Sequence, residues 1–280
     1  MKTVVYTSEK KTHFFKELKE IFRDISKSNF LAYQMAKRDI QSQYRQSFLG
    51  FFWAIAPIVT NSLVWIFLSS SGTVNVNTGV EIPYILFVVI GTTLWSIFTE
   101  SIFIPINSVN SSKGIISKIN FPKEALLISG FYKMFFNLGL KFIFIIAILI
   151  IYGISPTFEM LYFPIYVMVI ILFAFVIGLL FTPIGVIYSD ISRIISTVVP
   201  FIMYVTPVVY AAPRQGIFKY FFDLNPLTFL ITDARNSLIG YDVNNLGLAI
   251  ILSIASFLVM LLGLVIFRKS MPIIIEKIAG

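Results

Sequence analysis

"RDIQSQYRQSFLGFFWAIAP", residues 38–57, changes character at its midpoint. Arg38, Asp39, Tyr44 and Arg45 fill the first half with charge and hydrogen-bonding groups. Phe48 then opens an apolar run that carries Trp53 and stops at Pro57. Charge placed immediately before a stretch that leaves water marks a membrane boundary. Composition agrees: 57% of residues are hydrophobic and 13% charged, against about 45–50% and about 25% in soluble domains. Mean hydropathy is +0.86. These values exclude a soluble globular domain and predict an all-α integral membrane protein.

A bilayer-spanning helix needs about 20 apolar residues, and the runs at 50–70, 84–108, 125–152, 161–187, 194–211 and 244–267 predict six. The fifth is short and contains Pro200 and Pro207, so it is expected to kink or break. Six spans put both termini on one side. The long charged stretch before the first run is not the pattern of a signal peptide. Residues 1–46 hold ten of the 22 Lys/Arg, Lys2, Lys10 and Lys11 among them. Lys113, Lys118, Lys123, Arg193, Arg268, Lys269 and Lys277 fall on the same side, and only Arg214, Lys219 and Arg235 on the other. This asymmetry predicts cytoplasmic termini. The net charge of +8 is thus a topological signal, and no basic soluble domain exists for nucleic acid to bind. With no cysteine and a single histidine, His13, disulfides and thiolate metal sites are excluded and no metal site is expected.

The chain divides into an interface segment, 1–46, and a six-span domain, 47–280. In the first, Phe14, Phe15, Leu18, Ile21, Phe22 and Ile25 recur at helical spacing opposite Lys16, Lys19, Glu20, Arg23 and Lys27, which predicts an amphipathic helix on the inner membrane face. Ser26, Ser28 and Asn29 are expected to end it and cap a second helix that carries Phe30, Leu31, Met35, Ile40 and Tyr44. For residues 10–27 a plain surface anchor and a functional element both stand. On the outer side, 213–240 is interrupted by Asp223, Asn225-Pro226, Asp233 and Arg235. Asn225 as cap and Pro226 at the first helical position predict a short helix. Segments of this length read as re-entrant, and polar backbone at that depth has to line a cavity or be covered by protein.

Three charges sit within the spans: Glu100 in the second, Lys133 and Lys141 in the third. A Glu100–lysine pair inside the bundle is preferred to substrate contact, and one carboxylate makes a poor proton relay. Asp223, Asp233 and Asp242 are scattered, with no D-x-D or H-E-x-x-H pattern to support a membrane enzyme such as a lipid-linked glycosyltransferase. One intramembrane acid also argues against an ion-driven transporter. There is no G-x-x-x-x-G-K-[ST] loop, so the chain does not cradle ATP by that route.

Arg38-Asp39, Tyr44-Arg45, Ser47, Leu49-Gly50, Trp53 and Pro57 together resemble the amino-terminal signature of permease subunits of polysaccharide-exporting ABC transporters. "SSKGIISKINFPKEAL" (111–126), "YSDISRII" (188–195), "MYVTPVVYAAP" (203–213) and "LNPLTFLITDARNSLIG" (224–240) extend the resemblance along most of the chain. It implies a transport permease, not an enzyme, in the cytoplasmic membrane. It further implies pairing with a second copy and with two cytoplasmic ATPase subunits, which would hold ATP and magnesium. The implied cargo is a glycan on a polyprenyl-pyrophosphate lipid: O-antigen, with capsule or teichoic acid as alternatives. By the same resemblance the 109–124 loop, with Lys113, Lys118, Phe121, Pro122 and Lys123, is expected to couple to the ATPase, with Arg38, Asp39 and Arg45 beside it. The competing reading is an ordinary basic loop. The first and fifth spans are expected to line the channel through Trp53, Tyr204 and Tyr210, although most aromatics belong to lipid-facing belts.

Overall fold

The computed structural model describes residues 14–45, 47–74, 78–116, 118–213 and 215–279. Lys2, Lys10, Lys11, His13 and Arg214, used above to read topology, lie outside the described residues. Among the described residues every regular element is helical. In chain order they are α1 (Phe14–Arg45), α2 (Ala56–Ser70), α3 (Tyr84–Asn110), α4 (Lys113–Ile116), α5 (Glu124–Ile151), α6 (Phe163–Ile187), α7 (Ser189–Ile202), α8 (Ile217–Leu224), α9 (Pro226–Leu238) and α10 (Leu246–Ala279). Four helices, α3, α5, α6 and α10, are long and apolar enough to cross a membrane.

The two remaining expected spans are shorter. In the first run a 3-10 turn, Gly50–Ala54, precedes α2. Gly50 takes φ +50°, a conformation that glycine adopts without a steric penalty. Pro57 then sits in the first turn of α2, where a missing N–H costs nothing. The 15 residues of α2 reach about 22 Å, less than a hydrocarbon core of about 30 Å. In the fifth run α7 begins at Ser189, ahead of the apolar stretch, and ends at Ile202. Thr206, forced away from helix by Pro207, is extended with φ −133° and ψ 138°.

Two other boundaries depart from the sequence expectation. The interface segment is one continuous 32-residue helix and not two. The Ser28 hydroxyl donates to the Asp24 carbonyl at 2.6 Å, so this serine bonds back within the helix instead of capping a new one. The last helix continues well past 267, through Pro272, because Phe267, Met271 and Ile274 are buried.

Packing centres on α3 and α6, which are mostly buried, whereas α5 and α10 flank them and stay largely exposed. Helix α3 buries Phe87, Leu94, Ile97 and Ile102 in this core. Gly178 of α6 lies against the α3 backbone, and a Cβ at that position would stand 1.9 Å from the Ile102 carbonyl oxygen. Gly130 of α5 similarly meets Ser108 and Ile104. Small residues let the backbones approach where lipid supplies no hydrophobic drive between helices. Helix α1 runs along α5 and reaches α10, and its Leu18, Ile21 and Met35 belong to the same core as the spans.

This packing generates a paired test. Gly178→Ala should lower the unfolding stability of the detergent-purified protein by about 1–3 kcal/mol, an overpacking cost. Gly139→Ala on α5, where nothing lies within 4 Å of the new Cβ, should be neutral or stabilise by up to about 1 kcal/mol. Thermal unfolding followed by tryptophan fluorescence measures both.

Candidate functional site

The break after α7 leaves backbone carbonyls without helical partners, and α9 supplies them. The Arg235 guanidinium donates through one terminal nitrogen to the Pro207 carbonyl at 2.8 Å and the Val208 carbonyl at 2.6 Å. It is 2% exposed and lies 3.6 Å above the Phe87 ring, so acceptors and a π face stand where a carboxylate is usual. The Tyr84 hydroxyl donates to the Val209 carbonyl at 3.2 Å. The Asn225 amide donates to the Val205 carbonyl at 3.0 Å and the Thr206 hydroxyl at 2.9 Å. Its oxygen meanwhile accepts from the Leu227 N–H at 3.0 Å, which caps α9 as the sequence predicts. Gly91 makes room for this arrangement: a Cβ there would stand 1.9 Å from the Val208 oxygen and 2.5 Å from the Arg235 nitrogen. Asp233, on the same helix, accepts from the Tyr166 hydroxyl at 3.1 Å and the Asn245 N–H at 2.9 Å, anchoring the start of α10.

The segment so held borders a cleft of about 410 Å³ between α2, α3 and α7. Its wall combines Asn61, Ser96, Thr99 and Ser196 with Trp65, Trp95, Phe103 and Tyr204, and no charged side chain lines it among the described residues. Hydroxyl and amide groups beside flat rings form a surface that hydrogen-bonds and stacks without selecting for charge. Of the three aromatics expected to line a channel, Tyr204 is here, its ring centroid 6.2 Å from that of Trp65. Tyr210 lies instead in a neighbouring aromatic pocket with Phe218, Phe221 and Phe222, and its hydroxyl donates to the Tyr204 carbonyl. Trp53 is exposed on the Gly50–Ala54 turn and takes no part in the cleft. Trp65, Trp95 and the polar row were missed from sequence, yet the signal existed. Thr92, Ser96 and Thr99 recur at helical spacing on α3, a polar stripe inside an apolar span that ends one turn on at Phe103.

The intramembrane charges pair as rungs between helices. Lys141 donates to Glu100 at 2.6 Å, Asn137 donates to the other carboxylate oxygen at 2.6 Å, and the Tyr44 hydroxyl donates to Asn137 at 3.2 Å. Lys133 pairs with Asp39 of α1 at 2.9 Å and not with Glu100. Arg38 forks onto the same Asp39 carboxylate at 2.7 and 3.1 Å. Burial raises the Asp39 pKa, but Lys133 and Arg38 outweigh it and hold the carboxyl below its ordinary value. The pair therefore stabilises fully above about pH 3.9, the ordinary value, and is lost only as pH falls through the lowered one. At the other end of α1, Arg268 of α10 contacts Asp24 at 3.0 Å and Glu124 at 3.1 Å, with Glu17 and Glu20 at 3.5 and 3.6 Å.

The 109–124 connection contains the single turn α4, pinned by buried Ile116. Lys118 and Pro122 are exposed, Lys113 is half-buried, and Phe121 packs against the core. Lys123 sits 4.2 Å over the Phe121 ring and reaches the Ile119 carbonyl at 3.4 Å. The loop thus presents Lys118 and Pro122 outward on a braced base.

Substitutions at Glu100 and Arg235 probe these contacts. Glu100→Gln should cost about 3–5 kcal/mol because it strands the buried Lys141, and adding Lys141→Met should restore most of the loss in a thermal melt. Arg235→Met should destabilise by about 1–3 kcal/mol per carbonyl left without a donor. It should also render an engineered cysteine at Val208, buried in the native protein, reactive to a water-soluble maleimide.

Residues 31–239 match the family described as ABC-2 type transporter. An O-antigen export system permease protein RfbA from Klebsiella pneumoniae is 27% identical over 248 residues, covering 84% of this chain and 90% of the relative. Another from the same organism is 23% identical over 244 residues, with the same coverage. The RfbA of Myxococcus xanthus is 24% identical over 216 residues, 76% of this chain and 81% of its own length. These relatives are transport permeases and not enzymes, and the family implies an ATP-binding cassette ATPase as partner. With its apolar helices and a match running from α1 through α9, the chain is a multi-pass membrane protein belonging to the ABC-2 type transporter family.

Proposed function

We propose that this chain is the channel-forming subunit of an ATP-driven exporter that moves a lipid-linked polysaccharide across the cytoplasmic membrane. The observation that carries the reading is the uncharged hydroxyl-and-aromatic cleft between α2, α3 and α7, since sugar rings stack their C–H faces on aromatics and their hydroxyls need neutral partners. The names of the relatives, all O-antigen export permeases, point the same way. A second copy would face the cleft and close it into a channel, with α2 and α7 completing six spans. In this reading α1 is the interface helix, its termini-side face cytoplasmic. Helices α8 and α9 form a re-entrant rim at the outer mouth, with Tyr210 on it. Two ATPase subunits, carrying ATP and magnesium, push on the 109–124 loop through Lys113, Lys118 and Pro122.

A polyanionic teichoic-acid cargo fits less well than a neutral glycan, because no described residue of the cleft wall offers it a counter-charge. Deleting the gene together with, and separately from, that of the partner ATPase should abolish surface glycan in both cases, with lipid-linked glycan accumulating inside. Single cysteines at Asn61, Ser96 and Tyr204 in this cysteine-free chain should react with a water-soluble thiol reagent, and trapped cargo should protect them. Unreactive thiols at all three, with normal export, would remove the cleft from the path. ATP hydrolysis by the purified single chain would end the two-component reading.

A further inference from the structure

A second cleft, larger than the one above, lies elsewhere in the molecule. It spans about 1060 Å³ at the carboxyl end of α1, against the Gly50–Ala54 turn and α5. Arg38, Gln41 and Arg45 face it from α1, and Tyr44, Phe51 and Phe136 form its apolar wall. Those three rings pack edge-on, with centroids 4.9 Å apart for Tyr44–Phe51 and 5.6 Å for Phe51–Phe136. The charges around it do not balance. Asp39 is shared by Arg38 and Lys133, Glu100 is taken by Lys141, and Arg45 makes no ion pair among the described residues. Four cations therefore answer two carboxylates. Two of those cations, Arg38 and Arg45, reach water beside an aromatic wall where the chain passes from charged helix to apolar turn.

We propose that this cleft binds the phosphate head of a membrane lipid. Arg38 and Arg45 hold the head, Gln41 adds a donor, and the first part of the hydrocarbon tail lies along Phe51 and Phe136. Guanidinium groups match phosphate oxygens in a fork geometry that an ammonium does not reproduce. Asp39 takes a positioning role: it accepts from Arg38 on one oxygen and Lys133 on the other, which fixes the Arg38 fork while leaving the site cationic. This assignment moves Arg38 and Arg45 from contacts with an ATPase to contacts with a lipid. It does not depend on the transport reading, because a phosphate-bearing lipid is available from the bilayer itself as well as from a lipid carrier.

The test uses the full chain purified in a neutral detergent, with farnesyl pyrophosphate, inorganic pyrophosphate, farnesol and short-chain phosphatidylglycerol as probes in calorimetric titrations. Farnesyl pyrophosphate should bind tighter than either inorganic pyrophosphate or farnesol, since each carries half of the recognised chemistry. The double variant Arg38→Gln/Arg45→Gln should bind it at least tenfold more weakly. Phe136→Ala should weaken farnesyl pyrophosphate several-fold and leave inorganic pyrophosphate unchanged. Asp39 keeps Lys133 in the double variant, so it should melt close to the parent. If it does not, Arg45→Gln alone serves, and a loss of affinity of a few-fold supports the site. Phosphatidylglycerol competing on equal terms would identify the occupant as bulk anionic lipid, and a tenfold preference for the pyrophosphate would identify an isoprenoid carrier. Wild-type affinity in the arginine variants, or farnesol binding as tightly as its pyrophosphate, overturns the proposal. Loss of export in the arginine variants is not the readout, so failure of the transport reading leaves this result interpretable.

Discussion

A backbone carbonyl buried away from water needs a hydrogen-bond donor, so a chain that abandons the helix inside the protein has to bring its own. The Arg235 guanidinium does this for Pro207 and Val208, and much of the surrounding architecture follows from it. Without those bonds, two buried carbonyls would each cost on the order of 1–3 kcal/mol, and the stretch after α7 would have no fixed path. With them, the extended segment is seated against α3, Gly91 has to be small, and Tyr204 is directed to the cleft. The arginine in turn needs α9 in place, which is why Asn225 both caps that helix and holds the Thr206 turn.

A second set of polar contacts fixes α1 to the bundle. Its ends are secured by different chemistry: acids gathered around Arg268 at one end, Tyr44 hydrogen-bonded to Asn137 at the other, and the Asp39–Lys133 pair between them. A helix held at three separated points moves as a unit. The contacts run on from α1 to α5 and, through Asn137 and Glu100, to α3. The carboxylates of this system are spent on internal cations. Arg38 shares the Asp39 carboxylate with Lys133, and Arg45 has no ion pair among the described residues.

Helix, membrane environment and the approximate position of each long apolar run were legible in the sequence, because hydropathy over some twenty residues is a local property. Asn225 and Pro226 were equally legible as a helix start, and Pro207 as a break, since caps and prolines act on adjacent backbone. The single rod of α1 was not. Ser26, Ser28 and Asn29 look like a stop, and only packing on α5 and α10 decides that the Ser28 hydroxyl turns back to Asp24. Charge partners were half legible: a lysine for Glu100 was expected, but which lysine depends on the azimuth of α5 relative to α1. The cleft residues Trp65, Trp95 and Asn61 went unmarked because their significance lies in the meeting of three helices. Trp53, marked by its motif, is exposed on the Gly50–Ala54 turn and does not line this cleft.

The order of the charges along the chain bears on how such a protein is made. Lys133 meets Asp39, Lys141 meets Glu100, Arg235 meets the 207–208 carbonyls, and Arg268 meets Asp24 and Glu124. In each of these pairs between distant segments the cation is synthesised after its acceptor; among the described residues only neighbours in sequence, such as Arg38 and Asp39, reverse the order. Chains emerge amino terminus first, so each basic group reaches the bilayer when the group that neutralises it is already there. An isolated lysine near mid-membrane is expensive to insert, but one arriving beside a waiting carboxylate is not.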